Sequence, residues 1–384
     1  MLTACSSLNF AFRDTTFLQT INSKYLPTTD TTEIIQVEEK GSNIEFENYV
    51  DFNFAYDFNN PINQTRLYGS NPTNVNQFNL SYAYSQLKFE NERIKVVTAF
   101  ATGSIVKLMY LGESSELKWV REISLFYKFK KEGWGIEAGI MPSIYGVETF
   151  INRDNQHATR AVMTDFAPDF EQGVRFHYKF GDNWRGKFQV TNGWQVIKDN
   201  NNCPGFGWVN IIGNPDKSFV NLGLYAGNEP YQGLPRQTKL YSNLFAKINI
   251  GNLSIWPMFD IGFQKDTLRA LQPFYCYGAS VKYQFSNAFS MAARYEHVQD
   301  EHAIITELLN PTNQWVHDGF TATIQYVPFP NFIVRLETVL SKATTTVYTI
   351  SDGSYVNYDN IILMAVHYTL PVLKYAVPEK GLLH

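Results

Sequence analysis

Residues 149–170 hold the densest chemistry in the chain: Arg153, Asp154, His157, Arg160, Asp165 and Asp169. A histidine between guanidinium and carboxylate groups could serve general acid–base catalysis or bind a metal. The alternative is a long charged connection, and the rest of the sequence favours it. The seven histidines are scattered, and no GxSxG, HExxH, Walker loop or GxGxxG occurs. No Ser/His pair is placed where a lipid-modifying barrel enzyme would need one. The three cysteines, Cys5, Cys203 and Cys276, form neither a CxxC motif nor a disulfide framework. No catalytic residue, metal centre or cofactor is expected. Leu2-Thr3-Ala4-Cys5 resembles a lipobox, which would place a diacylglycerol on Cys5. Only four residues precede that cysteine, however, where a lipoprotein signal needs basic and apolar regions. Either the start site is misassigned or the resemblance is accidental.

A second set of charged groups recurs at every other position. Arg175, His177 and Lys179 alternate with Val174, Phe176, Tyr178 and Phe180. Lys187 and Gln189 oppose Phe188 and Val190, and Asp260 falls between Phe259 and Ile261. Lys128, Arg294 with Glu296, Arg335 with Glu337, and Asp51 on the first strand follow the same rule. Period-two alternation gives a strand one apolar and one polar face. In a soluble sandwich the charged face would be the outer surface. In a membrane barrel it would line the lumen, because Arg or Lys facing lipid at mid-bilayer costs about 2–4 kcal/mol.

The connections decide between these readings. Seven short turns are rich in Gly, Asn, Asp and Pro: Asn91-Glu92-Arg93, Lys131-Glu132-Gly133, Gly181-Asp182-Asn183, Asn214-Pro215-Asp216-Lys217, Gly251-Asn252, Ser286-Asn287 and Pro330-Asn331. They alternate with longer polar segments at 61–76, 111–119, 149–170, 198–205, 229–235, 265–273, 299–317 and 347–358. This rhythm predicts about sixteen strands in an all-β, transmembrane antiparallel barrel with short periplasmic turns and long external loops. Aromatic residues make up 15% of the chain, with 29 Phe and 23 Tyr, which suits interfacial girdles. No apolar run reaches the roughly 18 residues a transmembrane helix needs. The net charge of −4, with no basic block, gives nucleic-acid binding no support. The expected organisation is an N-terminal periplasmic or mobile segment at 1–43, a barrel at 44–370 and a tail at 371–384.

The stretches "YVDFNFAYDFNNP", "LKFENERIKVVTAFATG", "AGIMPSIYGVET", "VTNGWQVI" and "VRLETVLSK" resemble the OmpL-like β-barrel porin-2 family of Bacteroidota outer membranes. The resemblance runs from about Gly41 to Leu370 and implies an outer-membrane channel. The sequence departs from it in lacking an ordinary export signal and in continuing past the last strand as "PVLKYAVPEKGLLH".

The combined reading is a passive diffusion channel for small hydrophilic solutes, lodged in outer-membrane lipid. A homo-oligomer, such as a trimer, or association with other envelope proteins is expected. The rival reading is a barrel subunit of a larger outer-membrane complex with a structural or binding role. Asp51, Lys128, Arg175, Lys179, Lys187, Asp260, Arg294, Glu296, Arg335 and Glu337 are expected to meet lumen water. The 149–170 segment, the third external loop, is longer than a connection requires. Val162, Met163 and Phe166 could pack it against the wall. Arg153, Asp154, His157, Arg160 and Asp165 would then form a constriction opposite Arg175 and Lys179 or the acidic first strand.

Overall fold

The computed structural model describes residues 41–377 apart from 67–68, 70, 232–233, 266–269, 303 and 305–314. Cys5, and the expected N-terminal segment up to residue 40, lie outside the described residues. The first fifteen strands are β1 (Ser42–Asp57), β2 (Phe78–Glu90), β3 (Ile94–Thr102), β4 (Val120–Lys128), β5 (Gly135–Pro142), β6 (Phe170–Lys179), β7 (Trp184–Thr191), β8 (Gly205–Asn214), β9 (Ser218–Tyr231), β10 (Leu234–Ile250), β11 (Leu253–Lys265), β12 (Leu271–Gln284), β13 (Phe289–Asp300), β14 (Trp315–Phe329) and β15 (Phe332–Ala343). A small hairpin of β16 (Tyr348–Thr349) and β17 (Tyr355–Val356) decorates the last long loop, before β18 (Tyr358–Thr369) and β19 (Leu373–Val377).

The wall is an antiparallel meander that closes on itself. β1 pairs with β2 on one edge; on the other it pairs with β18 (Asp57↔Ile361 to Tyr49↔Thr369) and then β19 (Phe46↔Leu373 to Ser42↔Val377). The main sheet has seventeen strands. Because β18 and β19 share one position along β1, the barrel has sixteen (17 − 1). The tail expected from residue 371 therefore begins inside the closing strand. Pro371 lacks an N–H and interrupts the ladder, but pairing resumes two residues later. Closure removes the unpaired strand edges that lipid could not satisfy. No helix among the described residues is long and apolar enough to cross a membrane, so the crossing is made by strands.

All seven short turns fall between consecutive strands. Asn91 accepts from the backbone N–H groups of Arg93 and Ile94 (2.8 and 2.7 Å), closing the first turn. Gly251 and Asn331 take the positive φ values (58° and 66°) that the shortest turns require. One expected long loop is absent. β9 and β10 run on through 229–231 and 234–235, with Gln237↔Glu229 and Thr238↔Asn228 in register. Polar residues there continue the wall rather than leave it. A short helix, α1 (Ser104–Met109), starts the connection after β3, where no helix was expected. Within the long connection between β5 and β6 the helical turns are 3₁₀, at Asn152–Asp154 and Val162–Phe166.

Alternation sorts the side chains. Phe206, Phe259, Tyr295, Ile324, Leu336 and Met364 lie exposed on the outer face. Their sequence neighbours Asp260, Arg294, Thr323, Arg335 and Leu363 point inward and are buried. Near the short turns of β4–β7, Trp134, Phe176, Tyr178, Phe180 and Trp184 make successive ring contacts. Trp134 Nε1 donates to the Lys179 carbonyl (2.8 Å), and Trp208 Nε1 to the Tyr178 hydroxyl (3.0 Å). Rings with one wet end at this level form an interfacial girdle.

The lumen and its inserted loop

Residues 143–169 connect β5 to β6 and fold into the barrel. Ser143 N–H donates to the Asp169 carbonyl (3.1 Å), pinching the loop at its root. Tyr145 then reaches β9, where its hydroxyl donates to the Leu224 carbonyl (2.8 Å). It fits because β8 and β9 offer glycines. A Cβ on Gly207 or Gly223 would lie 2.5 or 2.8 Å from the tyrosine.

Four side chains of the wall hold the loop by its backbone. Arg335 donates to the carbonyls of Asn152 (2.8 Å), His157 (2.6 Å) and Asn155 (2.8 Å), while its Nε donates to Gln325. Arg294 donates to the carbonyls of Thr159 (3.0 Å) and Arg160 (3.1 Å) and pairs with Glu148 (3.1 Å). Glu337 accepts from the N–H groups of Ala158 (2.7 Å) and Thr159 (2.8 Å). Glu296 accepts from Met163 N–H (3.2 Å), and Glu148 from Ala161 N–H (2.6 Å). A loop has no ladder to satisfy its backbone, so one buried in a lumen must find partners on the wall. Charge-assisted bonds of this kind are stronger than neutral ones.

The far side of the loop meets the acidic first strand. Asn152 donates to Asp51 (2.6 Å), and Arg153 pairs with Glu47 (2.7 Å). Arg153 and Asp154, 3.1 Å apart, keep side-chain exposures of 29% and 48%, far above the 1% of Arg160. They are the charged part of the loop that remains open to solvent. Arg160 stacks on Phe150 and pairs with Asp169 (2.9 Å) and Asp165 (3.4 Å). Its pKa rises despite burial, because those carboxylates favour the cation.

His157 lies fully buried between Thr323 Oγ1 (Nδ1, 2.6 Å) and Ser280 Oγ (Nε2, 2.7 Å). Thr323 Oγ1 in turn donates a hydrogen bond to Glu337 (2.6 Å). The string Ser280–His157–Thr323–Glu337 thus contains the residue types of a hydrolase triad. The serine is wholly buried, and its hydroxyl also faces Gln156 Oε1 at 2.6 Å, so no substrate reaches it. Burial, and then the charges of Arg294, Arg335 and Lys282, push the imidazole pKa well below its ordinary value. The group is a neutral latch. Among the described residues no cluster of three His, Cys, Asp or Glu side chains could hold a metal.

Apolar packing surrounds these contacts. Val147, Met163 and Tyr145 join Tyr225, Tyr241, Phe274 and Trp315 inside the barrel, with Phe166 against them. Ile151 and Phe150 join Tyr49, Tyr82, Tyr84 and Phe170. The inward residues expected to meet water divide accordingly. Arg294, Glu296, Arg335, Glu337, Asp260 and Asp51 are at most 3% exposed, because the loop or neighbouring side chains cover them. Asp260 is occupied by Tyr241 and Asn243. Arg175 is equally buried, holding Glu171 (3.2 Å) and the Pro142 carbonyl (2.9 Å). Lys128 and Lys179 sit at the short-turn rim, paired with Glu90 and with Glu132 and Asp182. Lys187 remains half-buried on the inner wall. The loop's root meets β8–β10 through Tyr145 and Gly146 and the rest packs toward β1 and β11–β15; among the described residues its 153–160 stretch forms no hydrogen bond or ion pair with Arg175 or Lys179. Sequence reasoning assigned no site role to Glu148, Asn152, Thr159, Ser280 or Thr323. One signal was available: Trp256 and Met258 make the inner face of β11 apolar as well, so something must cover it.

A closed sixteen-stranded wall with its third long connection folded inside defines the class as an outer-membrane porin. Residues 43–369 match the family described as "Putative beta-barrel porin-2, OmpL-like", and the chain belongs to that family. It is an outer-membrane protein and a passive diffusion channel. Among solved structures it is similar to an anion-selective porin from Comamonas acidovorans (10% identity, TM-score 0.62, covering 86% of this chain and 100% of that one). OmpT of Vibrio cholerae in its trimer form (11%, 0.55, 86% and 100%) and the outer-membrane channel DcaP of Acinetobacter baumannii (11%, 0.55, 86% and 98%) share the fold. No curated protein sequence matches the chain.

Proposed function

We propose that residues 143–169 form the constriction of this channel, and that Arg153 and Asp154 set the field at its narrowest point. The carrying observation is the grip of Arg294, Arg335 and Glu337 on the loop backbone. A loop fixed at six backbone positions inside the lumen narrows it permanently. Its open ion pair then offers both signs of charge to small hydrophilic solutes as they pass. The reading involves no bond-making step, and the buried Ser280–His157 contact gives no support to an enzyme. Short turns on the periplasmic side, a Bacteroidota origin and a homotrimer in lipid complete the proposal. The trimer is supported by the trimer form of the Vibrio cholerae neighbour.

Planar-bilayer recording of the full chain tests this. Arg335→Ala combined with Glu337→Gln should free the loop and raise single-channel conductance by about twofold or more. If the doubly substituted barrel is folded and conducts like the parent, residues 143–169 do not set the bore. The dense apolar packing inside the lumen favours one rival: a barrel occluded by its loop and serving as a subunit of an envelope complex. That rival is supported by zero conductance together with a stable partner on purification.

A further inference from the structure

The inner wall between the inserted loop and the short turns carries four lysines that the constriction does not use. Lys95 on β3, Lys187 on β7, Lys247 on β10 and Lys282 on β12 each lie two to four residues from a short turn. All four are inward by alternation and half-buried. Lys95 pairs in register with Phe126, Lys187 with His177, and Lys282 with Ser254, so they are spread along the wall rather than gathered at one spot. Arg175, Glu137, Lys95 and Glu171 are electrostatic neighbours of Lys187, both carboxylates being held by Arg175, and Arg335 is one of Lys282.

The acids of the same region already hold partners of their own. Glu45 holds Lys88 (2.9 Å) and Lys374 (2.8 Å), and Glu90 holds Lys128 (2.6 Å). Glu47 holds Arg153 (2.7 Å), and Glu137 holds His177 (2.9 Å) and Arg175 (3.5 Å). Among the described residues, none of the four lysines has a carboxylate within ion-pair distance. Lys95 and Lys247 face aromatic rings instead, Phe126 at 5.6 Å and Trp256 at 3.8 Å. The acids nearest Lys247, Glu148 and Asp154, are taken by Arg294 and Arg153.

Unpaired cations on a low-dielectric wall draw counter-ions from solution and concentrate them. We propose that the turn-side chamber below the loop is an anion vestibule: Lys95, Lys187, Lys247 and Lys282 make the channel pass small anions, chloride and carboxylate- or phosphate-bearing solutes, in preference to cations. This rests on the channel reading above and adds the class of solute. The mechanism is electrostatic attraction with exchange of bound water, and no covalent step is involved. Spacing along the wall lets an anion pass from one ammonium to the next without being trapped, which conduction requires.

The test is the reversal potential of the full chain in a planar bilayer under a potassium chloride gradient. The parent should favour chloride over potassium by roughly five- to tenfold, less as salt screens the wall. Lys95→Gln/Lys187→Gln/Lys247→Gln/Lys282→Gln should bring the ratio to about one while conductance persists. Lys107→Gln, outside this chamber on α1, should leave the ratio at the parent value. Heat-shifted gel mobility confirms that each variant is a folded barrel. Conductance with a cation preference, or an anion preference unchanged by the four substitutions, overturns the vestibule and leaves the channel standing. Absence of any conductance in the parent overturns the channel itself.

Discussion

Two parts of the inner wall carry similar charge and use it differently. On β13–β15, Arg294, Arg335 and Glu337 are fully buried and bound to the backbone of the inserted loop. On β3, β7, β10 and β12, Lys95, Lys187, Lys247 and Lys282 point into the same barrel, with no acid among the described residues at ion-pair distance. Guanidinium and ammonium chemistry fit this division. Arginine offers five donors in a rigid fork and can grip several carbonyls at once, as Arg335 does. Lysine is a strongly hydrated point charge, suited to a wet wall. An inward charge is therefore no guide to where water runs until its partners are known.

The widest separation of the two walls should appear in stability. Arg294→Ala removes the partner of Glu148 and leaves that carboxylate buried, together with the Thr159 and Arg160 carbonyls. Breaking a buried pair from one side costs about 3–5 kcal/mol. Urea unfolding in detergent micelles should show a midpoint lowered to match. A midpoint equal to the parent's would mean that the loop does not depend on this wall.

The fold was legible because its signals are local. Short turns announce themselves by Gly, Asn and Pro, and facing follows from alternation on strands such as 174–180. The exceptions have local causes too. Polar residues at 228–229 suggest a loop, although a barrel wall continues beyond the membrane as a polar strand. Pro371 suggests an end, although a proline costs the ladder only one donor. The interior was less legible because its contacts are remote. Arg335 meets Asn152 and His157 across 183 and 178 positions of chain, and alternation cannot reveal such a partner. The sequence showed loop 149–170 to be long, charged and able to pack. It gave no sign that Arg160 would spend its charge on Asp165 and Asp169 rather than on the bore. Inward aromatics such as Tyr241, Phe274 and Trp315 were masked by the assumption that the inner face is uniformly polar.

A pH series sharpens the comparison at the latch. His157 has a depressed pKa in the inserted loop, and a released loop would restore it to about 6.5. The released state then binds the extra proton as pH falls below 6.5. The His157 contribution to latching is complete above that value and lost below it, by up to about 1.4 kcal/mol per pH unit. The groups facing the imidazole are Ser280, Thr323, Gln156, Glu337, Arg294, Arg335 and Lys282. Asp169, pushed up to about 7 by burial, titrates in an overlapping window with the opposite sign. The informative quantity is therefore the difference between parent and His157→Gln. Between pH 7 and 5 the parent should gain open-channel events relative to the variant. Parallel pH profiles would remove His157 from the latch.

The smallest effect is expected on the lysine wall. Lys282 is half-buried, has no ion pair among the described residues, and stands opposite Ser254 and Ala292 in the two flanking ladders. Lys282→Met keeps most of the stem that covers the wall and removes only the charge. No acid is left unpaired, so none of the mechanisms behind large losses applies. The unfolding midpoint should move by less than about 1 kcal/mol equivalent. Removing a cation from beside Arg335 could even raise it, because like charges in a low-dielectric wall repel. Current through the variant should still lean less toward chloride than in the parent. A loss comparable to that of Arg294→Ala would mean that Lys282 is bound into the scaffold, and the distinction between a gripping wall and a conducting wall would fail at β12.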